Sequence, residues 1–424
     1  MSEDTTRASL RFPYLLTLAV TLLARLAYWP PQMLGKDGPA YVNALNLDST
    51  FSVPMPGNIG WVLLGKLFSF FTDPVSAYTL VTFLISLIGT SFIFLLCTLF
   101  LRPWMAAITT LAAALSPMIW FHAEPLLSYG TWIAIPPAIA YFGIRYSRQR
   151  KLPLLYAAAA ATGLGTILRP DMVAFAGPLL GGILLITRPP ILKGWAVCTA
   201  ICFVCCLFWF FTTAAILGGP SAYLARVNAQ TDYIATYGPA QKGFYEGLIR
   251  NAGKYAIFFV WGGLFVTPLA LLGLCKLLAA WRTTWQWIIL GALALAPSFY
   301  FGVVVFMGNA GLTMPGLLSA FLLAAYWLEH SSHPRRRYAM LIMGIVGALG
   351  AAQFIFTPVL PARNQRNIIL MALGVGYSGN TIRRMYEYNP ADFGVDSSVA
   401  NALRQFRNPE PVPFYPPGFP DDLR

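Results

Sequence analysis

Long apolar runs, separated by short polar connections, dominate the sequence. They lie near residues 13–29, 77–101, 104–121, 127–144, 154–168, 171–187, 194–217, 255–275, 284–307, 311–328 and 338–358. A membrane helix needs about 20 mainly apolar residues, and the shorter runs reach this length with their flanking residues. The pattern predicts an all-α polytopic membrane protein with about eleven transmembrane helices. The first run has no convincing cleavage site, so we expect it to be a retained anchor.

Three segments interrupt this pattern. Segment 30–76 is partly apolar and predicts two short interfacial helices, near 39–48 and 57–71, on either side of a Pro-Gly break. In the second helix, Trp61 and Lys66 are expected near the lipid headgroups. Segment 218–254 is polar and aromatic and predicts an ordered loop. Residues 1–358 thus form a transmembrane module whose two large loops build one face, and the polar, proline-rich residues 359–424 form a tail.

Composition agrees with a membrane protein and adds an orientation. Only 11% of the residues are charged, against about 25% in soluble proteins. The net charge is +13, and the basic residues concentrate in alternate connections. The positive-inside rule then predicts a cytoplasmic N-terminus in the inner (plasma) membrane, with both large loops and the tail outside. The charge is explained by this topology and by anionic lipid, and no nucleic-acid partner is predicted. The six cysteines lie within apolar runs, which favours packing over disulfides or metal binding.

With this topology most carboxylates outside the tail face outward, and Asp37 is a candidate general base. Gly38 and Pro39 follow it and predict a tight turn that would hold the carboxylate in place. The alternative is that Asp37 only caps the helix that begins near Pro39. Asp48 is the weaker candidate, because Asp48-Ser49-Thr50 is typical of a turn or a cap.

Two further clusters are expected on the outer face. His122 and Glu124 either share a divalent metal ion with Asp37 or hydrogen-bond to each other or to a polar ligand. Arg169 either forks onto a lipid phosphate or pairs with Asp171 to close the turn.

Two other residues have weaker claims. Arg25, near the outer end of the first run, is interpreted as a snorkelling side chain. Asn309, in Gly308-Asn309-Ala310-Gly311, lies in a break that either approaches a ligand or forms a simple turn.

Several of these motifs resemble the GT-C superfamily of glycosyltransferases. Asp37 to Tyr41, then Pro54-Met55-Pro56-Gly57 and the following helix, resemble the first outer loop of that superfamily. Ser116 to Glu124 looks like its "SPLFWFYGE" stretch, and Gly163 to Asp171 looks like its "GLALGLRPD". Val305 to Gly311 is similar to its "HIGQPGY". More narrowly, the chain resembles the bacterial branch related to protein O-mannosyltransferases and aminoarabinose transferases.

The resemblance implies a GT-C-like bundle and transfer of a sugar from a polyprenyl-phosphate donor. The acceptor would be a lipid, a glycan or a protein, and Asp37 would be the base of an inverting reaction. Arg169, helped by Lys36 or a basic residue of 218–254, would hold the departing phosphate. Asp48, His122, Glu124, Asp171 and Asn309 are further candidate substrate contacts. No nucleotide cofactor is expected, and a divalent metal ion stays open.

The chain departs from the family pattern at two places. Gly38 replaces the Glu that follows Asp in protein mannosyltransferases, and Ala310-Gly311-Leu312 stands where Pro-Gly-Tyr is common. These differences leave the sugar and the acceptor open. The alternative hypotheses are a transporter or flippase for lipid-linked sugars and a catalytically silent membrane subunit.

Overall fold

The computed structural model describes residues 3–29, 41, 44–45, 57–124, 128–237, 244–279, 298, 303, 310–331, 338–357 and 380. These residues are helical or lie in turns, and no strand occurs among them. The predicted all-α class is therefore confirmed.

Fourteen α-helices follow one another in the described residues. They are α1 (Glu3–Leu26), α2 (Ile59–Ser69), α3 (Pro74–Thr98), α4 (Pro103–Ala114), α5 (Pro117–His122), α6 (Thr131–Gln149), α7 (Leu152–Leu168), α8 (Val173–Thr187), α9 (Val197–Ile216), α10 (Pro220–Tyr237), α11 (Phe244–Gly262), α12 (Thr267–Ala279), α13 (Met314–Glu329) and α14 (Ala339–Phe356). Short 3₁₀ turns precede α6, α8 and α13, and a π-helical turn precedes α9.

Local sequence explains where many helices begin and end. Proline occupies the first position of α3, α4 and α5, where its missing N–H costs nothing. Asp73 caps α3 by accepting hydrogen bonds from the N–H groups of Val75 and Ser76. Arg150 and Arg188 end α6 and α8 in the left-handed conformation, with φ of 55° and 46°.

Most predicted apolar runs coincide with helices. The exception is 284–307, which lies outside the described residues apart from Ser298 and Val303. In the described part of the chain, five helices are long and apolar enough to cross a membrane by themselves. A sixth span arises if α11 and α12, which meet at 103°, count as one broken helix. The chain is thus a multi-pass membrane protein, and the number eleven stays a prediction.

Two of the interrupting segments differ from expectation. Segment 218–254 is largely helical where it is described, since α10 covers most of its first half and α11 begins in its second half. Helix α2 exists as predicted, but Trp61 is fully buried in protein and does not face headgroups. Its ring stacks on Tyr78 of α3 at 6.4 Å, and a Cβ at Gly65 would lie 2.1 Å from the Tyr78 ring. Close packing on α3 therefore fixes α2.

Basic side chains gather at one end of the bundle. Arg148 Nη1 donates to the carbonyl of Leu99 at 3.0 Å, which joins the last turns of α6 and α3. At the same end Arg102 pairs with Glu329. Lys276 donates to a backbone carbonyl just after α13. Arg150 donates to a backbone carbonyl at the end of α8. Cations here complement the negative ends of several helix dipoles. This segregation agrees with the predicted topology, although the side of the membrane stays a prediction.

Candidate functional site

Arg169 is the centre of a polar network at the opposite end of the bundle. It ends α7 in an extended conformation, because the following proline prevents the helix from continuing. The side chain is nearly buried, and its Nε donates to both carboxylate oxygens of Asp171, at 2.8 and 3.0 Å. Its Nη1 donates to Ser128 Oγ at 3.1 Å. The predicted Arg169–Asp171 pair therefore exists.

Aromatic rings hold the Arg169 guanidinium from another side. It lies 4.0 Å from the ring centre of Tyr129 and 5.6 Å from that of Trp132. Burial lowers the pKa of Arg169, but the charge interactions with Asp171 and Tyr129 raise it, and the net pKa lies above the ordinary value. The guanidinium therefore stays charged. No hydrogen bond from its Nη2 occurs within the described residues.

The first loop joins this network through Tyr41. The Tyr41 hydroxyl lies 3.2 Å from Ser128 Oγ and also accepts a hydrogen bond from Asn58. Its backbone carbonyl accepts a hydrogen bond from the hydroxyl of Tyr78 at 2.9 Å. Tyr41 thus connects the motif that contains Asp37 to the Ser128–Arg169 pair. Asp37, Lys36 and Asp48 themselves lie outside the described residues.

His122 lies beside the same network and is fully buried. Its Nδ1 is 2.8 Å from the carbonyl of Met118, and its ring meets Tyr129 edge-on at 5.6 Å. A Cβ at Gly311 would lie 2.6 Å from Tyr129 and 3.0 Å from His122, so only glycine permits this approach. Gly311, the last residue of this break, is therefore packed against the network. Asn309 lies outside the described residues.

Glu124 does not hydrogen-bond to His122; it lies beside Arg25. The Arg25 guanidinium and the Glu124 carboxyl group are 3.9 Å apart and fully buried. Arg25 also donates to the carbonyls of Ala114 and Trp120, at 2.9 and 3.0 Å. The snorkelling interpretation of Arg25 is therefore wrong, because its guanidinium is buried and donates to carbonyls near the ends of α4 and α5. The sequence signal for a buried, hydrogen-bonded Arg25 is its position inside an apolar run, because burying an arginine without partners costs free energy.

The environment of Glu124 predicts a pH-dependent stability. Burial raises its pKa from the ordinary 4.5 to about 8, although Arg25 opposes the shift. Between these values the unfolded chain releases the proton and the folded chain keeps it, so stability falls as pH rises. We expect the melting temperature of Glu124→Gln in detergent to change less between pH 5 and pH 8 than that of the wild type. Glu246→Gln, an exposed control on α11, should follow the wild type; parallel curves for all three proteins would contradict the assignment.

The described residues contain no cluster of three or more His, Cys, Asp or Glu side chains suited to a metal ion. A site that adds Asp37 to His122 and Glu124 stays a prediction. The cysteines that are described are free; Cys198 and Cys202 face backbone carbonyls of α7, and Cys205 packs against Gly163. Cys198, Cys202 and Cys205 therefore pack against α7, as the sequence predicted.

Comparison with known proteins bears on the fold. No family model and no curated protein matches the sequence. Among solved structures, the chain is similar to ArnT from Cupriavidus metallidurans bound to undecaprenyl phosphate, with a TM-score of 0.54 and 15% identity over 92% of this chain and 79% of that chain. It is also similar to the Archaeoglobus fulgidus oligosaccharyltransferase tethered with an acceptor peptide, with a TM-score of 0.52 and 12% identity over 96% of this chain and 60% of that chain. The chain therefore has the fold of the GT-C glycosyltransferases.

Proposed function

We propose that the chain is a glycosyltransferase that moves a sugar from a polyprenyl-phosphate donor to an acceptor at the outer face of the membrane. The observation that carries this proposal is the buried network of Tyr41, Ser128 and Arg169, at the end of the bundle opposite the basic connections. The shared fold with ArnT bound to undecaprenyl phosphate supports a lipid-linked donor.

In the proposed mechanism Asp37 is the general base. A hydroxyl or amine of the acceptor attacks the anomeric carbon of the sugar, and its proton passes to Asp37. The bond from this carbon to the phosphate oxygen breaks with inversion, and its electron pair leaves with the phosphate. Asp37 precedes Tyr41 by four residues, and four residues span at most about 14 Å. The Tyr41 contacts therefore support a position for Asp37 near Arg169.

Arg169 is the proposed cation for the departing phosphate. Asp171 and Ser128 hold its Nε and Nη1, so the guanidinium is oriented before the lipid arrives. Its Nη2 is the group available to the phosphate, and preorganised donors of this kind stabilise developing charge most effectively. We further propose that Lys36 assists, that His122 and Glu124 shape the sugar pocket, and that residues 359–424 lie outside.

The direct test uses purified protein in liposomes with a synthetic polyprenyl-phosphate sugar. A transferase releases polyprenyl phosphate and forms a glycosylated acceptor in equal amounts. A transporter moves the lipid across the bilayer without releasing polyprenyl phosphate, and a silent subunit does neither. Mass spectrometry of a strain that lacks the protein identifies the sugar and the acceptor, because the donor accumulates and one glycosylated product disappears.

A further inference from the structure

A mainly apolar cavity lies between α3, α6 and α13 and reaches the end of the bundle that carries the basic connections. Its volume is about 100 Å³, and its wall includes Cys97, Phe100, Ala140, Leu322 and Tyr326. Phe100, Ala140 and Leu322 are partly exposed, so the cavity is not sealed inside the protein. Water does not fill an apolar cavity of this kind. A hydrocarbon chain from the surrounding lipid restores the dispersion contacts that an empty space lacks.

A polar recess adjoins the apolar cavity at this end. It is lined by residues 98–102, where α3 ends, and by residues 329–331, where α13 ends. Phe100 lines both spaces. Tyr326 lines the cavity, and its ring stacks on His330 of the recess with 4.3 Å between the ring centres. The two spaces are therefore neighbours, one suited to a hydrocarbon chain and the other to a charged group.

The charge around the polar recess is mainly positive. Arg102 uses its Nε to pair with Glu329, and no hydrogen bond from its other two nitrogens occurs within the described residues. The Arg148 guanidinium lies 5.0 Å from the ring centre of Phe100. Lys276 donates to a backbone carbonyl of the recess. Three cations surround a single carboxylate here, so the recess favours an anion.

This arrangement differs from the general attraction between basic side chains and anionic lipid. That attraction acts on any exposed cation near a membrane surface. Lys151, for example, is exposed after α6 and lines neither space. Arg102 and Arg148 instead lie beside Phe100, which borders both the recess and the cavity. A lipid at this place is held at two points, by its phosphate and by one of its chains.

We propose that this end of the bundle binds one anionic glycerophospholipid. Its phosphate lies in the polar recess, where Arg102 and Arg148 supply the charge, and one acyl chain fills the apolar cavity. Guanidinium groups bind phosphate oxygens by charge-assisted hydrogen bonds. The chain gains little hydrophobic free energy, because bilayer and cavity are both apolar, so the headgroup decides which lipid binds. The lipid connects the ends of α3 and α13, far from Arg169, and does not depend on the proposed function.

The test uses the full-length protein in phosphatidylcholine nanodiscs with increasing fractions of phosphatidylglycerol. A ligand that binds the folded state raises the melting temperature, so phosphatidylglycerol should stabilise the wild type. Native mass spectrometry should find one bound lipid per chain, with phosphatidylglycerol preferred over phosphatidylcholine. Arg148→Gln should lower this preference about tenfold, the effect of losing one hydrogen bond to a charged group. Arg102→Gln with Glu329→Gln should do the same and leaves no buried carboxylate without its partner.

Two further variants separate the site from unspecific attraction. Ala140→Phe fills the apolar cavity and keeps every charge, so it should reduce bound phosphatidylglycerol and phosphatidylcholine alike. Ser319→Leu, from the α13 wall of the cavity, replaces it if the α6 variant does not fold. Lys151→Gln removes a cation outside both spaces and should bind lipid as the wild type does.

Three results would overturn the proposal. The first is a wild type that retains no lipid or shows no preference for phosphatidylglycerol. The second is an equal loss of preference in Lys151→Gln and Arg148→Gln, which would indicate general charge attraction. The third is unchanged lipid binding in the cavity-filling variant. None of these results affects the proposed sugar transfer, which takes place at the opposite end of the bundle.

Discussion

Asp37→Asn is expected to abolish sugar transfer, with a loss of about 10²–10⁴-fold in kcat, the usual contribution of a positioned general base. The substitution also separates the two interpretations of this residue. Asparagine caps a helix about as well as aspartate does, so a purely capping Asp37 would tolerate the change. The amide of asparagine cannot take up the proton that the sugar acceptor loses, so a catalytic Asp37 would not tolerate the change. The measurement is initial transfer rate in liposomes at equal amounts of folded protein.

Asp73→Asn is the matched control for this experiment. Asp73 is a carboxylate in the same part of the chain, and its described role is to cap α3 through Val75 and Ser76. Because Asn preserves the cap, this variant should transfer sugar at the wild-type rate. Full activity of Asp37→Asn, with normal expression and donor binding, would remove the proposed base and favour the capping interpretation.

The sequence predicted the helical framework well because the signals for it are local. Apolar runs define helices in a membrane, and proline marks the beginnings of α3, α4 and α5, with an aspartate cap at α3. The Arg169–Asp171 pair was also predictable, since the two opposite charges lie two positions apart in one turn. Segment 218–254 was mistaken for a loop because its polar and aromatic residues mask a helical pattern.

The contacts within the site were not predictable from the sequence. Tyr41, Ser128 and Arg169 are far apart along the chain, and they meet only because α2, α3, α6 and α7 pack together. Trp61 has the composition of an interface anchor, yet its position is decided by the close approach at Gly65. Similarly, the position of Arg25 in the first apolar run indicates that its guanidinium needs partners. The sequence does not identify those partners as the carbonyls of Ala114 and Trp120.

Arg25→Ala is expected to have the largest effect on stability. The variant leaves the carbonyls of Ala114 and Trp120 without their side-chain donor and leaves Glu124 buried beside no cation. Removing one partner of a buried pair typically costs about 3–5 kcal/mol. For a chain of this size we expect a fall in melting temperature of roughly 3–6 °C in detergent. Because α5 carries His122, transfer activity should fall as well.

Three variants make the Arg25 prediction specific. Arg11→Ala removes an exposed arginine from the same helix and should leave the melting temperature unchanged. Arg25→Lys keeps the charge, but a single ammonium cannot fork between the Ala114 and Trp120 carbonyls, so it should recover only part of the loss. The double variant Arg25→Met with Glu124→Leu replaces both groups by apolar side chains and leaves no buried carboxyl group without its partner, so it should be more stable than Arg25→Ala. A wild-type melting temperature for Arg25→Ala would show that the break between α4 and α5 does not depend on this guanidinium.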